Sequence, residues 1–439
     1  MSELPKGWVE SAVDEVGDIS SGFGFPDRFQ GNVAGELPFA KVRDISQAYQ
    51  KNGGILSGAG NYVSRADLTA LKARTVPAGS VAFAKIGEAL KLNRRVLLDV
   101  EAVLDNNCMA VTPHQGLVEP KFLYRFLTTL DFAPFSVATT VPSIRKGDVG
   151  SIRLPLPPLA EQKRIVAKLE ALNAKSARAR TELARIETLV SRYKQAVLSK
   201  AFSAVDAERI ALLKLTEFVT SGSRGWAKFY SDEGPLFLRI GNTVRGTIVP
   251  DMNDIQRVNP PEGAEGVRTR VQPSDIVVTI TADLGRIALI DEQIGEAYVN
   301  QHLALVRLLE QGSAAFLAWY LVSDEGQAQL QRNNRGATRS GLGLDDIRQV
   351  EVPTPPLEEQ HDIVRRIESA FARIDRLAAE AKRALALVGR LDEAVLAKAF
   401  RGELVPQDEN DEPAATLLAR IRAEREAAPK VTRGRKARS

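Results

Sequence analysis

Cysteine is nearly absent from this chain: one residue, Cys108, stands in 439. A single thiol excludes a disulfide framework. With only three histidines (His114, His302 and His361), a structural zinc site is excluded as well. Long apolar runs are also missing. None approaches the ~18 residues needed to cross a bilayer, and the opening Met1-Ser2-Glu3-Leu4-Pro5-Lys6 has no apolar core of a secretion signal. A soluble, intracellular chain is expected. Excess charge of one sign is small: 59 Lys and Arg face 55 Asp and Glu, for a net charge of +4. The pI near 9.0 is therefore only a weak pointer to a polyanionic partner. What the chain has is length and 44% apolar residues, enough for two to four domains with real cores.

An internal repeat organises that length. Pro155-Leu156-Pro157-Pro158-Leu159-Ala160-Glu161-Gln162 opens a stretch that closes on Lys200-Ala201-Phe202. Pro353-Thr354-Pro355-Pro356-Leu357-Glu358-Glu359-Gln360 opens one that closes on Lys398-Ala399-Phe400, without a gap at an offset of 198. Of the 48 paired positions 22 are identical. Within the first copy Ile165, Leu169, Leu172, Ser176, Ala179, Leu183, Ile186, Val190, Tyr193 and Val197 follow at alternating steps of four and three. Ile363, Ile367, Ala370, Ile374, Leu377, Ala381, Ala384, Val388, Leu391 and Val395 repeat that register. This is a heptad seam on two helices of about 40 residues, each ~60 Å long. Proline pairs preset their starts, and Gly402 stands where a left-handed cap belongs. The two helices are expected to pair with each other.

The flanking segments echo each other more weakly. Leu37-Pro38-Phe39 answers Pro235-Leu236-Phe237, and Asn106 answers Asn300. Both mix short β-like runs (80–84 and 276–280), glycine-rich turns and one helix near Phe122 or Phe316. The expected fold class is α+β, with two diverged modules at 1–154 and 205–352 and spacer helices at 155–204 and 353–404. Residues 405–439 add a short amphipathic helix (Leu417, Leu418, Ile421) and a basic tail, Lys430 to Arg438.

Catalytic signatures fail. There is no Gly-x-x-x-x-Gly-Lys-[Ser/Thr] phosphate loop. Asn259-Pro260-Pro261-Glu262 is similar to the Asn-Pro-Pro-aromatic tetrad of adenine-N6 methyltransferases. Glutamate stands where the stacking ring belongs, and no S-adenosylmethionine loop precedes it, so it reads as a stiffened turn. Pro273-Ser274-Asp275 lacks the Glu-x-Lys that a nuclease motif would add. Cys108 reads as a small buried hydrophobe and the histidines as isolated. No catalytic, cofactor-binding or metal-ligating residue is assigned.

The duplicated proline-rich openings, the endings at Lys200-Ala201-Phe202 and Lys398-Ala399-Phe400-Arg401-Gly402-Glu403-Leu404, and the start Leu4-Pro5-Lys6-Gly7-Trp8 carry a resemblance. Over essentially its whole length the chain resembles the specificity subunit of type I restriction–modification enzymes. The resemblance implies two target recognition domains, each reading one half of an asymmetric, bipartite DNA sequence. It implies an antiparallel coiled coil between them, with a pseudo-twofold relation between the halves and a spacing set by the coil. It also implies a cytoplasmic, non-catalytic subunit of a bacterial or archaeal cell. Its partners would be double-stranded DNA, two methyltransferase subunits and two motor/nuclease subunits. S-adenosylmethionine, ATP and Mg would sit on those partners, which methylate adenine or cleave DNA.

The DNA-contacting candidates are the cations and polar side chains of the variable segments. In the first they are Lys85, Lys91, Arg94, Arg95, Ser143, Arg145 and Lys146. In the second they are Arg224, Arg239, Asn242, Arg245, Arg286, Arg335, Thr338, Arg339 and Ser340. Two other classes compete: a methyltransferase-fused restriction enzyme fragment, and a coiled-coil DNA scaffold without sequence preference.

Overall fold

A computed structural model describes residues 4–135, 142–222, 224–261, 263–332 and 341–427. The chain divides into two compact units. One is Met1–Ala179 with Ala386–Ser439, the other Arg180–Leu385. The division falls within both long helices, Leu159–Ser203 and Leu357–Phe400, so each unit holds one module and part of each helix.

In the first unit a five-stranded sheet runs in the order Gly17–Ser21, Cys108–Pro113, Val81–Ala84, Arg95–Leu98, Ile55–Leu56. Its two central strands pair antiparallel, Val81 opposite Val111 and Phe83 opposite Met109. Val81, Phe83, Met109 and Val111 turn to one face, against Phe122, Leu123, Phe126 and Leu127 of the helix Pro120–Thr128. Ala82, Val96, Leu98 and Ala110 turn to the other, against Ile45 and Ala48 of the helix Val42–Lys51. Burial on both faces explains why these strands read as unbroken apolar runs. A second sheet places Leu37–Ala40 between Tyr62–Val63 and Val103–Leu104, and parallel to the latter.

The second unit repeats this plan. Its main sheet runs Thr216–Ser221, Leu303–Leu308, Ile276–Thr279, Ile287–Leu289, with the helix Ala314–Val322 on one face. Its small sheet sets Tyr230–Leu238 between Arg257–Val258 and Ala297–Val299, again with one antiparallel and one parallel neighbour. The modules diverge after the small sheet's central strand. Where the first has the ten-residue helix Val42–Lys51, the second has the single turn Ile240–Asn242.

The repeated glutamine explains how each long helix begins. Gln162 Nε2 donates to the carbonyl of Pro157 at 2.9 Å, and Gln360 Nε2 to that of Pro355 at 2.8 Å. Each folds the proline pair back onto the first helical turn. Gln162 also donates to the Leu117 carbonyl (3.0 Å) and accepts from the Glu119 amide (2.8 Å), which ties the helix to its module.

Helix pairing is antiparallel in each unit. In the first, Ile165 and Leu169 are fully buried with Ala399 and flanked by Val395, while Ser176 Oγ meets Asp392 Oδ1 at 2.6 Å. In the second, Leu198 packs with Ile363 and Ile367, and Lys194 Nζ meets Asp375 at 2.6 Å. Leu183, Ile186, Val190, Ile374, Ala381 and Ala384 line an apolar groove there. The seam is not closed throughout. Tyr193, Leu377 and Leu391 are 60%, 61% and 56% exposed. Phe371, one step off the seam, is buried instead, against the Trp319 ring at 4.8 Å.

Gly402 ends the second long helix at φ +75°, as its position predicts. The chain then returns over the first module. Ala414 N donates to the Gly7 carbonyl (3.0 Å), Arg164 pairs with Asp411 (2.7 Å), and Leu417 and Leu418 of the helix Ala414–Ala427 join the core. The basic tail from 428 lies outside the described residues. No described helix is long and apolar enough to cross a membrane.

Candidate nucleic-acid interface

In the first module the paired strands Val81–Ala84 and Arg95–Leu98 send out a hairpin, and the loop before the short helix Lys146–Gly150 is stitched to it. Ile86 bridges Ser143, Ile144 N donates to the Lys85 carbonyl (3.0 Å), and Gly87 N donates to that of Pro142 (2.8 Å). This brings Lys85, Ser143, Arg145 and Lys146 to one corner. The Arg145 amide is taken by Asp148 Oδ2 at 3.0 Å, and both basic residues stay exposed. Lys91, on the same hairpin, is exposed and pairs with Glu88 at 2.8 Å; Arg94 is half-buried.

Arg95 is not a surface residue, and its candidacy for DNA contact is corrected. Its side chain is fully enclosed, stacked 3.9 Å from the Phe132 ring centroid and donating to the Leu130 carbonyl at 2.8 Å. Burial pushes its pKa down to about 10. The neighbouring Asn93 ties Asp131 and the Phe132 amide into the same loop. Arg95 opens the strand Arg95–Leu98, and its long arm reaches across to the loop that carries Leu130 and Phe132.

The second module builds the same corner. Thr281 bridges Gly341, and Leu342 N donates to the Ile280 carbonyl at 3.0 Å. On the hairpin Thr279–Ile287 the carboxylate of Asp283 pairs with both Arg245 and Arg286. Hydrogen bonds from Arg245 and then Arg286 hold its pKa below the usual aspartate range. Arg286 also donates to the Thr243 carbonyl at 2.9 Å. Arg239 pairs with Asp254 at 2.9 Å, and Arg224 is exposed. Asn242 is corrected as a polar reader. It is 4% exposed, and its amide is consumed by the carbonyls of Asp251 and Asp254 and by the Arg239 amide. Arg335, Thr338, Arg339 and Ser340 lie outside the described residues.

Nothing in the sequence marks Asp283 as a carboxylate that gathers one arginine from 38 residues upstream and another from three residues downstream. Asp275 of the Pro-Ser-Asp triplet is buried and doubly bonded to Arg307, at 2.9 and 2.7 Å, so it is a structural ion pair. Cys108 is fully buried, and burial pushes its thiol well above the ordinary range. Asn259 N donates to the Phe229 carbonyl at 3.0 Å just past the strand Arg257–Val258, and Glu262 lies outside the described residues.

The chain is 28% identical to the Escherichia coli protein named type I restriction enzyme EcoBI specificity subunit, covering 96% of this chain and 93% of that one. It is 25% identical to the EcoKI specificity subunit of Escherichia coli strain K12, over 97% of each. In fold it is similar to the HsdS subunit from Thermoanaerobacter tengcongensis, with a TM-score of 0.62 at 23% identity, covering 92% of this chain and 98% of that one. A chain from work on complex assembly and conformational transition of the type I R-M system gives a TM-score of 0.71 at 21% identity, over 92% and 100%. The family model described as type I restriction modification DNA specificity domain matches residues 5–188 and 268–385, more than half of the sequence. The chain, two α+β modules on paired long helices, belongs to that family.

Proposed function

We propose that the chain is the DNA-recognition subunit of a type I restriction–modification complex, each module reading one half of an asymmetric bipartite target. The observation that carries this is the corner built twice. The same backbone bridges, Ile86 to Ser143 and Thr281 to Gly341, support different side chains in the two modules. One scaffold with two sets of polar groups suits two unlike half-sites.

The division proposed is recognition domains at 1–154 and 205–352, spacer helices at 155–204 and 353–404, and a C-terminal helix and basic tail at 405–439. The helices act as a ruler of ~60 Å, commensurate with one to two duplex turns of ~34 Å. Catalysis belongs to two methyltransferase and two motor/nuclease subunits, which carry S-adenosylmethionine, ATP and Mg; this chain supplies none of those sites and works in the cytoplasm. The DNA contacts proposed are Lys85, Lys91, Arg94, Ser143, Arg145 and Lys146, and Arg224, Arg239, Arg245, Arg286, Arg335, Thr338, Arg339 and Ser340.

Base-resolution methylation mapping of cells that express the chain with its methyltransferase partner tests this. A split, asymmetric motif is expected, and insertion of one heptad in both helices should change only the gap between its halves. An unsplit motif, or an unchanged gap, would overturn the reading.

A further inference from the structure

We propose that two equivalent tight turns, 105–108 and 300–303, are base-reading elements, and that Asn106 and Gln301 choose the base in the first and second half-site. The inference rests on the recognition function proposed above. Neither residue belongs to the charged loops on which that function was built.

The turns are constructed alike in modules of little common sequence, and they set Asp105 opposite Asn300, one residue off the sequence pairing of Asn106 with Asn300. Asp105 N donates to the Ala40 carbonyl (2.9 Å), Asn300 N to that of Leu238 (3.1 Å). Asp105 Oδ2 accepts from the Asn107 amide (3.3 Å), Asn300 Oδ1 from that of His302 (3.1 Å). Gly22 and Gly222 press against them so closely that a Cβ would lie 2.0 Å from the Asp105 carbonyl oxygen and 2.1 Å from that of Asn300. Each turn is thus clamped by backbone on several sides, which is the preorganisation a reading group needs.

Each turn also joins the corner described above. Lys85 N donates to the Asn107 carbonyl at 2.9 Å, Ile280 N to that of His302 at 3.0 Å. The turn, the hairpin and the loop before the short helix therefore meet at one place in each module. Side chains at the third turn position are occupied. Asn107 Nδ2 donates to Asp105 Oδ2 (3.0 Å), and His302 Nδ1 lies 2.7 Å from Thr281 Oγ1. The second position carries a primary amide in both, Asn106 exposed and Gln301 half-exposed.

Gln301 is further oriented by His302, its Nε2 lying 3.1 Å from the ring Nε2. When the amide donates there, the ring proton sits on Nδ1 and is donated to Thr281 Oγ1. Gln301 then retains its carbonyl oxygen and one N–H. That acceptor and donor side by side complement the N6 amino group and N7 of adenine in the major groove. His302 and Thr281 are positioning residues for that amide.

The test is selection of a randomised double-stranded DNA library by the purified full-length chain and its variants, with circular dichroism as the check on folding. For Gln301→Ala, one adenine of the second half-site should lose its preference roughly tenfold to hundredfold, with the first half-site intact. Asn106→Ala should do the converse. Gln301→Glu, which keeps the shape and offers only acceptors, should move the preference at that position toward cytosine, and it serves if the alanine variant misfolds. A bipartite wild-type motif that both sets of variants leave unchanged, or weaken evenly at every position, overturns the inference alone. A wild-type chain that selects no bipartite motif overturns it together with the recognition reading.

Discussion

At Asp283 one carboxylate faces two guanidiniums, those of Arg245 and Arg286. Because its pKa is lowered in the fold, the stability it contributes is present above the unfolded aspartate value and lost as pH falls through the lower folded one. Asp283→Asn releases both arginines at neutral pH. Equilibrium DNA binding against salt should then show tighter binding and a slope steeper by about one; an unchanged slope would remove Arg245 and Arg286 from the phosphate contacts. Arg95 makes the opposite prediction. Arg95→Ala should cost about 3 kcal/mol in urea unfolding, as a large buried side chain lost to a cavity, and leave the salt slope alone. Arg95 shows why single residues are hard to place from sequence. An arginine beside Arg94 reads as a surface pair, but Arg94 precedes the strand Arg95–Leu98, which is buried on both faces, so only Arg95 is enclosed.

Among the elements, the long helices were the most legible, since a four-three spacing held for over four heptads has no other common source. Their starts were legible too, from the proline pair before each, but the work of Gln162 and Gln360 on Pro157 and Pro355 was not. Nor was the closure of the seam. Spacing reports which positions share a face, not whether the partner helix covers them, and Leu377 and Leu391 stay exposed. The strands were read only as short apolar runs; their order depends on long-range pairing that no local pattern encodes. Gln162→Ala orphans two carbonyls and an amide at the helix–module junction, so a loss of about 2 kcal/mol is expected. Gln360→Ala should lose about half of that, with one carbonyl at stake. Parallel denaturant titrations compare them, and equal losses would deny Gln162 its larger role.

On the scale of the whole molecule, the segment after Gly402 is the feature with the widest reach. Lys6 pairs with Glu409, Arg422 with Glu15, and the buried Glu161 accepts from both Trp8 (3.0 Å) and Gln407 (3.3 Å). Removing residues 405–439 strips those partners from one unit only. Calorimetry should show the transition of the unit containing residues 1–179 shifted down and that of 180–385 unmoved; a common shift would mean that the units unfold as one. The same discontinuity orders events at the ribosome. The unit Arg180–Leu385 is continuous in the chain and has all its parts as soon as its last residue emerges. The unit that begins at the N-terminus waits for Ala386 and beyond, a delay of roughly 10–40 s at ~5–20 residues per second. The half of the protein made first is therefore completed last, and a message broken near its 3′ end yields one finished module and one that lacks its closing helix.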